Sequence, residues 1–493
     1  MSTLVTQIDP RPYRRNIPVY YIFMASTGFM IFLPIWIIYL TDHRGMTLTT
    51  VGIMESLFWL TIVLAEVPTG AVADRFGRRI SLALGGFLFC GATVVFALAD
   101  SLVLLMASYL ILGIGITLYS GASQALLFDT LRVLGRTSEF EKHMGRSEAG
   151  SFFFMLLASA LGGPLAALIG YTPTILLSCI CFFIAGCTAL MLREPPRKES
   201  DYQADPLHGQ PASRHDLGQR RGETPSSEGG IPVFNEMMHG IRIAWRTRPI
   251  RYLILLAALM LGVLQMPEFL AQPYVRSHGI DPIESLGQGA IFSGLMMPAQ
   301  LGAVAGLFFA ASLVGRLGER RAFPTLLSMG AILLIPLILW NHLGLVGVIM
   351  LVSAVRHAVR PIATGYINRR IPSDQRATVL SVLQLIVGAT MAVMLVTVVP
   401  TADIAGFQNA FGLALAILAV AGIVCWLVWR TAHRREQSER LRSWSLAISA
   451  PQAAVNQANQ AQAQQNNSGP SLYPSLQNIE AQPTRSDPAT HYD

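Results

Sequence analysis

The sequence has little charge and almost no lysine. Only 13% of its 493 residues are charged, whereas about 25% is usual for a soluble domain. A soluble chain of this length would divide into several domains, each with a charged surface. With 52% hydrophobic residues and a mean hydropathy of +0.47, the composition excludes an ordinary soluble enzyme and predicts a polytopic membrane protein.

The chain also lacks the short patterns of common catalytic and metal chemistry. It contains no Walker loop, HExxH or GxSxG pattern. Its five cysteines form no CxxC pair, so zinc and redox chemistry are not expected. We therefore predict no enzyme, metal or cofactor, and any pumping would draw on an ion gradient or on another subunit.

Apolar runs long enough to cross a membrane, for which about 20 residues are needed, occur throughout the chain. Six lie in its first part (17–40, 48–72, 80–99, 102–127, 148–169 and 173–192). Six follow a polar interval (250–275, 286–314, 323–341, 344–368, 377–399 and 407–429). Numbered as spans 1 to 12, they predict an all-α membrane protein with two pseudo-symmetric six-helix halves.

Polar intervals set the predicted boundaries. A bundle over 1–192 is joined to a second bundle over 250–430 by the linker 193–249, which is rich in Pro, Ser, Gly, Arg and Glu. An amphipathic helix is expected at 233–245. The tail 431–493 is rich in Ala, Gln, Asn and Ser and is predicted to be disordered.

The formal net charge of +7 comes from basic clusters between the apolar runs, so nucleic acid is not an expected partner. The loops after spans 2, 4, 8 and 10 and the linker are basic, whereas the opposite loops contain only Arg44 and Arg276. The positive-inside rule then places both termini in the cytoplasm, with the chain in the plasma (inner) membrane.

A short pattern recurs in the two halves. Ala73–Arg79 (ADRFGRR) follows span 2, and Val314–Arg320 (VGRLGER) follows span 8, 241 residues later. Two six-span halves with one loop motif indicate a transporter built from repeats, with the substrate path between them. The expected partners are a small-molecule substrate and membrane lipids, and we expect a monomer.

The first copy resembles the signature loop of the major facilitator superfamily, G-x-x-x-D-R-x-G-R-R. Its positions map onto six residues of this sequence (Gly70, Asp74, Arg75, Gly77, Arg78 and Arg79). The resemblance covers about residues 12–430. It implies a conformational latch in which Asp74 faces the start of span 11 near Ser373 and holds the halves together in the outward-open state.

Physical arguments give the other motif residues roles. Gly70 would let another helix approach closely, Gly77 would permit a tight turn, and the arginines would pair with Asp129. The second copy departs from the pattern at Gly315 and Glu319, so an asymmetric latch is expected.

One segment of span 5 is similar to a narrower branch of the superfamily. Leu161–Gly170 resembles the Gly-Pro motif of the bacterial drug-efflux members, although alanines replace glycines at 166 and 167 and span 4 lacks the arginine common in that branch.

Ionisable residues inside the spans are few, and each costs about 2.5–3.5 kcal/mol at the bilayer centre on insertion scales. In span 10, Arg356 and Arg360 share a helix face and suit an anionic group, or pair with protein acids. His357 points about 100° away, as a packing residue or a coupling candidate. Glu268 in span 7 is a candidate proton carrier, or part of a static ion pair.

Three further residues are secondary candidates. Glu66 is expected beside Arg78 or Arg79, and Tyr119 and Gln124 in span 4 are candidates for cavity contacts. We predict a secondary transporter working by alternating access, with proton coupling and with export slightly favoured. The alternatives are an uptake symporter of a small anionic solute, a lipid-modifying membrane enzyme, and a transporter-like sensor or scaffold.

Overall fold

The computed structural model describes residue 9 and residues 11–196, 241, 242, 244–371 and 375–467. These ranges are helical and contain no strand, so the predicted all-α class is confirmed. The longer helices are α1 (Asn16–Gly28), α2 (Leu48–Phe76), α3 (Arg78–Leu98), α4 (Leu102–Val133), α5 (Phe140–Ile169), α6 (Tyr171–Met191), α7 (Arg248–Ser277), α8 (Leu286–Leu339), α9 (Val346–Asn368), α10 (Arg376–Ala405) and α11 (Phe407–Asn467).

Ten described helices, α2 to α11, are long and apolar enough to cross a membrane. Helix α8 has 54 residues and is interrupted at Gly318, where φ is 71°. At 1.5 Å per residue, a helix of this length is much longer than a single membrane crossing, which needs about 20 residues. The chain is an integral multi-pass membrane protein, and the count of twelve spans stays a prediction.

The first apolar run is broken rather than continuous, which corrects the span predicted over 17–40. Helix α1 ends at Gly28, residues 29 and 30 are irregular, residues 31–35 form turns, and short helical turns resume over Trp36–Ile38 and Tyr39–His43. Pro34 lies in the break, and proline has no N–H for a continuing helix.

Gln272 of α7 satisfies the backbone groups released by this break. Its Oε1 accepts from the Ile37 N–H at 3.0 Å, and its Nε2 donates to the Leu33 carbonyl at 2.8 Å. Irregular backbone at membrane depth is tolerated only where such partners exist. One buried amide therefore supports the broken segment and joins the two halves of the sequence.

Small residues allow several helices to pack closely. A Cβ at Gly302 or Gly306 of α8 would collide with the backbone of α9, and Gly163 of α5 meets Gly289 of α8 in the same way. A Cβ at Gly70 would meet no atom within 4 Å. The close helix approach at Gly70 is thus not seen among the described residues, and it stays a prediction because the start of span 11 near Ser373 lies outside them.

The two ends of the bundle differ in charge. We call the end with the α2–α3 turn and Gly318 the arginine-rich side, and the end with Arg44 and Arg276 the arginine-poor side. At the α2–α3 turn, Gly77 has a φ of 97°, a left-handed backbone that glycine adopts without strain.

The tail differs from its prediction. Residues up to His433 form one compact unit, and residues from Arg434 on belong to a second. Helix α11 continues to Asn467, whereas disorder was predicted from residue 431. Residues 431–467 contain no glycine and a single proline, and their alanine, glutamine, arginine and glutamate favour helix. Ser373 and most of the predicted helix over 233–245 lie outside the described residues.

Candidate functional site

A cluster of polar side chains lies between α7 and α9 within their apolar lengths. Arg356 Nη2 donates to Glu268 Oε2 at 3.0 Å, and the two side chains are 13% and 28% exposed. The same Nη2 lies 3.0 Å from His357 Nε2. Three of the four predicted coupling residues, Glu268, Arg356 and His357, are thus in direct contact. Glu268 forms the ion pair that the sequence offered as the alternative to a proton carrier.

His357 has a defined hydrogen-bonding role in this cluster. Its Nδ1 lies 2.9 Å from the carbonyl oxygen of Ser353. Because a carbonyl only accepts, Nδ1 carries the proton and Nε2 accepts from Arg356. His357 is therefore a neutral partner of the arginine, although sequence spacing pointed it away from Arg356.

Ser353 completes the cluster. Its Oγ donates to the Ala299 carbonyl at 2.7 Å and lies 3.3 Å from Glu268 Oε2. The Glu268 carboxylate therefore has both a charged neighbour and a hydroxyl neighbour on α9. A proton added to Glu268 would remove the negative charge on which the Arg356 interaction depends.

Arg360, the fourth predicted residue, is not part of the ion pair. Its side chain is exposed in the bundle. Arg356 stands one turn earlier on α9 and carries the same charge, so the two guanidinium groups repel each other.

Two polar residues follow Glu268 at intervals of four along α7, and such spacing places all three near one helix face. Gln272 holds the broken first span, as described above. Arg276 Nε donates to Asp42 Oδ2 at 2.5 Å. Helix α7 thus carries, on one face, the buried acid and two of the contacts between the halves.

Other contacts between the halves lie on the same arginine-poor side. Thr49 Oγ1 of α2 donates to Asp403 Oδ2 of α10 at 2.8 Å, and the Gly163 N–H of α5 donates to Ser293 Oγ of α8 at 2.8 Å. The arginine-poor ends of the two halves are therefore held together in this structure.

The first motif copy forms a network on the arginine-rich side. Arg78 makes an ion pair with Asp129 of α4, and Arg132 binds the same carboxylate at 3.0 Å. Glu194 accepts from the backbone N–H groups of Arg78 and Arg79 at 2.9 and 2.8 Å. This carboxylate caps the start of α3, where the helix dipole favours negative charge.

The second copy reverses the charges of this network. Gly318 corresponds to Gly77, and Glu319 occupies the position of Arg78. Glu319 pairs with Arg369 and, at 3.1 Å, with Arg370 of the loop after α9. Arg370 stands 241 residues after Asp129, the same interval that separates Glu319 from Arg78. The two halves thus contain equivalent ion pairs of opposite polarity.

The remaining predicted residues have mixed outcomes. Asp74 and Arg75 are exposed at the end of α2, and the predicted partner segment of Asp74 lies outside the described residues. Glu66 is half-buried and makes no described ion pair with Arg78 or Arg79, because Asp129 and Glu194 occupy those positions. Tyr119 packs edge-on against Phe23 and Phe89, and Gln124 is exposed.

Sequence reasoning missed several residues that the fold brings into the site. Gln272 and Asp403 have partners more than two hundred residues away, and no local pattern indicates such pairing. Glu55 had a readable signal, since it is an acid inside the apolar run of span 2. It lines a cavity in the first half.

Taken together, α2 to α11 and the paired motif copies define a multi-pass helical membrane protein with two related halves. The profile of the Major Facilitator Superfamily matches residues 20–351 and 299–459. These ranges cover most of the sequence, and the chain belongs to this family.

Related proteins align with part of the chain. It is 27% identical over 186 residues to the uncharacterized MFS-type transporter YxaM of Bacillus subtilis, a match that covers 37% of this chain and 45% of YxaM. It is 30% identical over 138 residues to the multidrug resistance protein MdtH of Klebsiella pneumoniae, covering 28% of this chain and 34% of MdtH. The chain thus aligns with less than half the length of either relative.

Solved structures share the fold over a much longer stretch. A mutant form of the nucleoside transporter NupG superimposes with a TM-score of 0.63 at 10% identity, covering 85% of this chain and 99% of that one. A bacterial homologue of the lysosomal transporter Spinster, in an inward-facing conformation, superimposes with a TM-score of 0.57 at 16% identity, covering 86% and 97%.

Proposed function

We propose that the protein is a secondary transporter that moves a small molecule by alternating access, with a proton on Glu268 controlling the change of conformation. The observation that carries the coupling is the contact of Glu268 with Arg356, together with the position of Glu268 on the helix face that also carries Gln272 and Arg276. Family membership and the transporters among the relatives support the wider assignment.

The coupling step follows from the charges. While Glu268 is ionised, its carboxylate fixes Arg356 and aligns α7 with α9. When Glu268 takes up a proton, Arg356 loses its counter-charge, although His357 still accepts one hydrogen bond from it. The arginine is then free to pair with another anion, and α7 can shift together with Gln272 and Arg276. The contacts on the arginine-poor side would then separate.

Orientation gives this movement a direction. The excess of arginine supports a cytoplasmic position for the arginine-rich side and both termini. The arginine-poor side would then face outward, and protonation of Glu268 would open the outer end. Export is the direction we favour, and the relatives that are named multidrug resistance proteins support it.

Uptake of a small anionic solute is the second candidate. It is supported by Arg360, which is exposed in the bundle and repelled by Arg356. Two neighbouring guanidinium groups, one of them released by protonation of Glu268, would suit an anion.

The test of proton coupling needs no knowledge of the substrate. Spin labels at Val103 and Ile404, which are 76% and 85% exposed at the arginine-poor ends of α4 and α10, would report the separation of the halves by double electron–electron resonance. We expect longer distances as the pH falls through the range in which carboxyl groups titrate. Glu268→Gln should give the longer distances at every pH, because its amide cannot carry the negative charge.

The matched control is Glu141→Gln, since Glu141 is an exposed acid near the arginine-rich end of α5. This variant should keep the response of the wild-type protein. A pH response in Glu268→Gln equal to that of the wild type would contradict the proposed role of Glu268.

A further inference from the structure

A cavity of about 190 Å³ lies within the first half, among α2, α3, α4 and the broken first span. Its wall is largely aromatic and includes six rings (Phe32, Trp36, Phe58, Phe89, Phe96 and Tyr109). An engineered cavity of about 150 Å³ holds one benzene molecule. The space is therefore sufficient for one ring with a small substituent.

Glu55 is the one charged side chain among the described residues that line this cavity. It stands seven residues after the start of α2, which corresponds to a depth of about 10 Å along the helix. Trp59 stands one turn further along α2. None of the ion pairs in the described part of the chain involves Glu55.

A carboxylate against an apolar wall without a cationic partner is costly. The acid of the other half, Glu268, has Arg356 as its counter-charge, whereas the cavity lining supplies no lysine, arginine or histidine to Glu55. A ligand that carries a positive charge into the cavity would supply the missing partner.

The aromatic rings favour the same class of ligand. Tyr109 lies 6.0 Å from Phe96 and 6.3 Å from Trp36, between ring centroids, so the rings form a continuous wall. Aromatic faces attract cations through their negative quadrupole, and quaternary ammonium groups are commonly bound in aromatic cages. An anionic ligand would find no cationic side chain in this lining, and Thr93 already donates to the Phe89 carbonyl, which leaves the Tyr109 hydroxyl and the Trp36 indole N–H as the neutral donors.

We propose that this cavity binds a small organic monocation, an ammonium group with an aromatic or alkyl body, with Glu55 as its counter-charge. The site is separate from the Glu268 cluster and lies wholly within the first half. As a statement about what is transported, the inference rests on the proposed transporter function. As a statement about binding, it stands on the cavity alone.

One contact connects the cavity to the coupling cluster. Trp36, which lines the cavity, packs edge-on against Phe269 of α7 with 5.7 Å between ring centroids. Phe269 is the neighbour of Glu268 in sequence. A ligand that moves Trp36 would therefore press on α7 beside the proposed proton carrier.

Binding can be measured on the purified full-length protein in detergent, without any gradient. Isothermal titration with benzyltrimethylammonium should show saturable binding, and benzylsulfonate, an anion of similar size, should not bind. Glu55→Gln should weaken binding of the cation at least tenfold, whereas Glu141→Gln should leave it unchanged. Absence of cation binding, equal binding of the anion, or wild-type affinity in Glu55→Gln would each overturn the proposal.

A second measurement uses the unmodified protein, so it does not depend on the folding of a variant. Dicyclohexylcarbodiimide modifies carboxyl groups in apolar surroundings, and mass spectrometry identifies the labelled residue. Benzyltrimethylammonium should protect Glu55 from labelling, and labelling that proceeds equally with and without the cation would overturn the proposal. Failure here would leave the pH-driven movement of the halves untouched, and loss of that movement would leave binding untouched.

Discussion

The Arg356 guanidinium group is the residue on which the buried cluster depends. One of its nitrogens donates to both Glu268 and His357, and its side chain is only 13% exposed. Hydrogen bonds to charged groups contribute about 1.5–3 kcal/mol, and removing one partner leaves the other with its desolvation penalty. The Arg356–Glu268 pair is thus stable together, whereas either charge left alone in this buried position would be unfavourable.

This asymmetry predicts the stability of variants. Arg356→Gln should lower the melting temperature in detergent, because it leaves Glu268 beside an apolar surface without its counter-charge. The double variant Glu268→Gln with Arg356→Gln should recover most of the loss, since two amides can hydrogen-bond to each other. Thermal unfolding followed by fluorescence would measure both, and a double variant no more stable than the single one would show that the ion pair contributes little.

At the scale of structural elements, the two motif copies place opposite charges at the start of the helix that follows the turn glycine, and each charge has a partner of the other sign. In the first copy, arginines stand at the start of α3, where the helix dipole disfavours them, and Glu194 compensates. In the second copy, Glu319 itself occupies the first turn after Gly318 and pairs with arginines beyond α9. The first half needs a capping acid from outside the motif, while the second carries the acid within it.

A charge exchange in the first half tests this account. Arg78→Glu combined with Asp129→Arg preserves opposite charges but sets the new glutamate against Glu194 and the new arginine against Arg132. We expect the double variant to melt at a lower temperature than the wild-type protein. Adding Glu194→Gln should recover part of the difference, because it removes the carboxylate repulsion. A double variant as stable as the wild type would show that the capping carboxylate is not important.

The sequence was sufficient for elements whose signal is local. Apolar runs identified α2 to α7, α9 and α10 and the start of α11 closely, and the motif placed Gly77 at a turn. The sequence alone was insufficient where the local structure depends on a residue far away in the chain. The run over 17–40 is apolar enough for one span, but Gln272 makes the broken form possible. The environment of Glu55 likewise depends on contacts between spans.

At the scale of the whole molecule, the compact unit ends at His433. Its final turn is well anchored, because Trp429 is fully buried and His433 Nδ1 lies 2.8 Å from the Tyr366 hydroxyl. Residues from Arg434 on form a separate unit. A transporter works through its bundle, whereas a sensor or scaffold would act through the tail, so the two hypotheses differ in what the tail contributes.

Two truncations separate these hypotheses. A chain ending at residue 444 keeps Trp429 and His433, and we expect it to retain the melting temperature and the pH-driven change in distance between labels at Val103 and Ile404. A chain ending at residue 428 loses both anchors, and its melting temperature should fall because buried aromatic surface and the bond to Tyr366 are removed. If removal of residues 445–493 abolished the pH-driven movement while the bundle remained folded, the tail would control the bundle, and the scaffold or sensor hypothesis would replace the simple transporter.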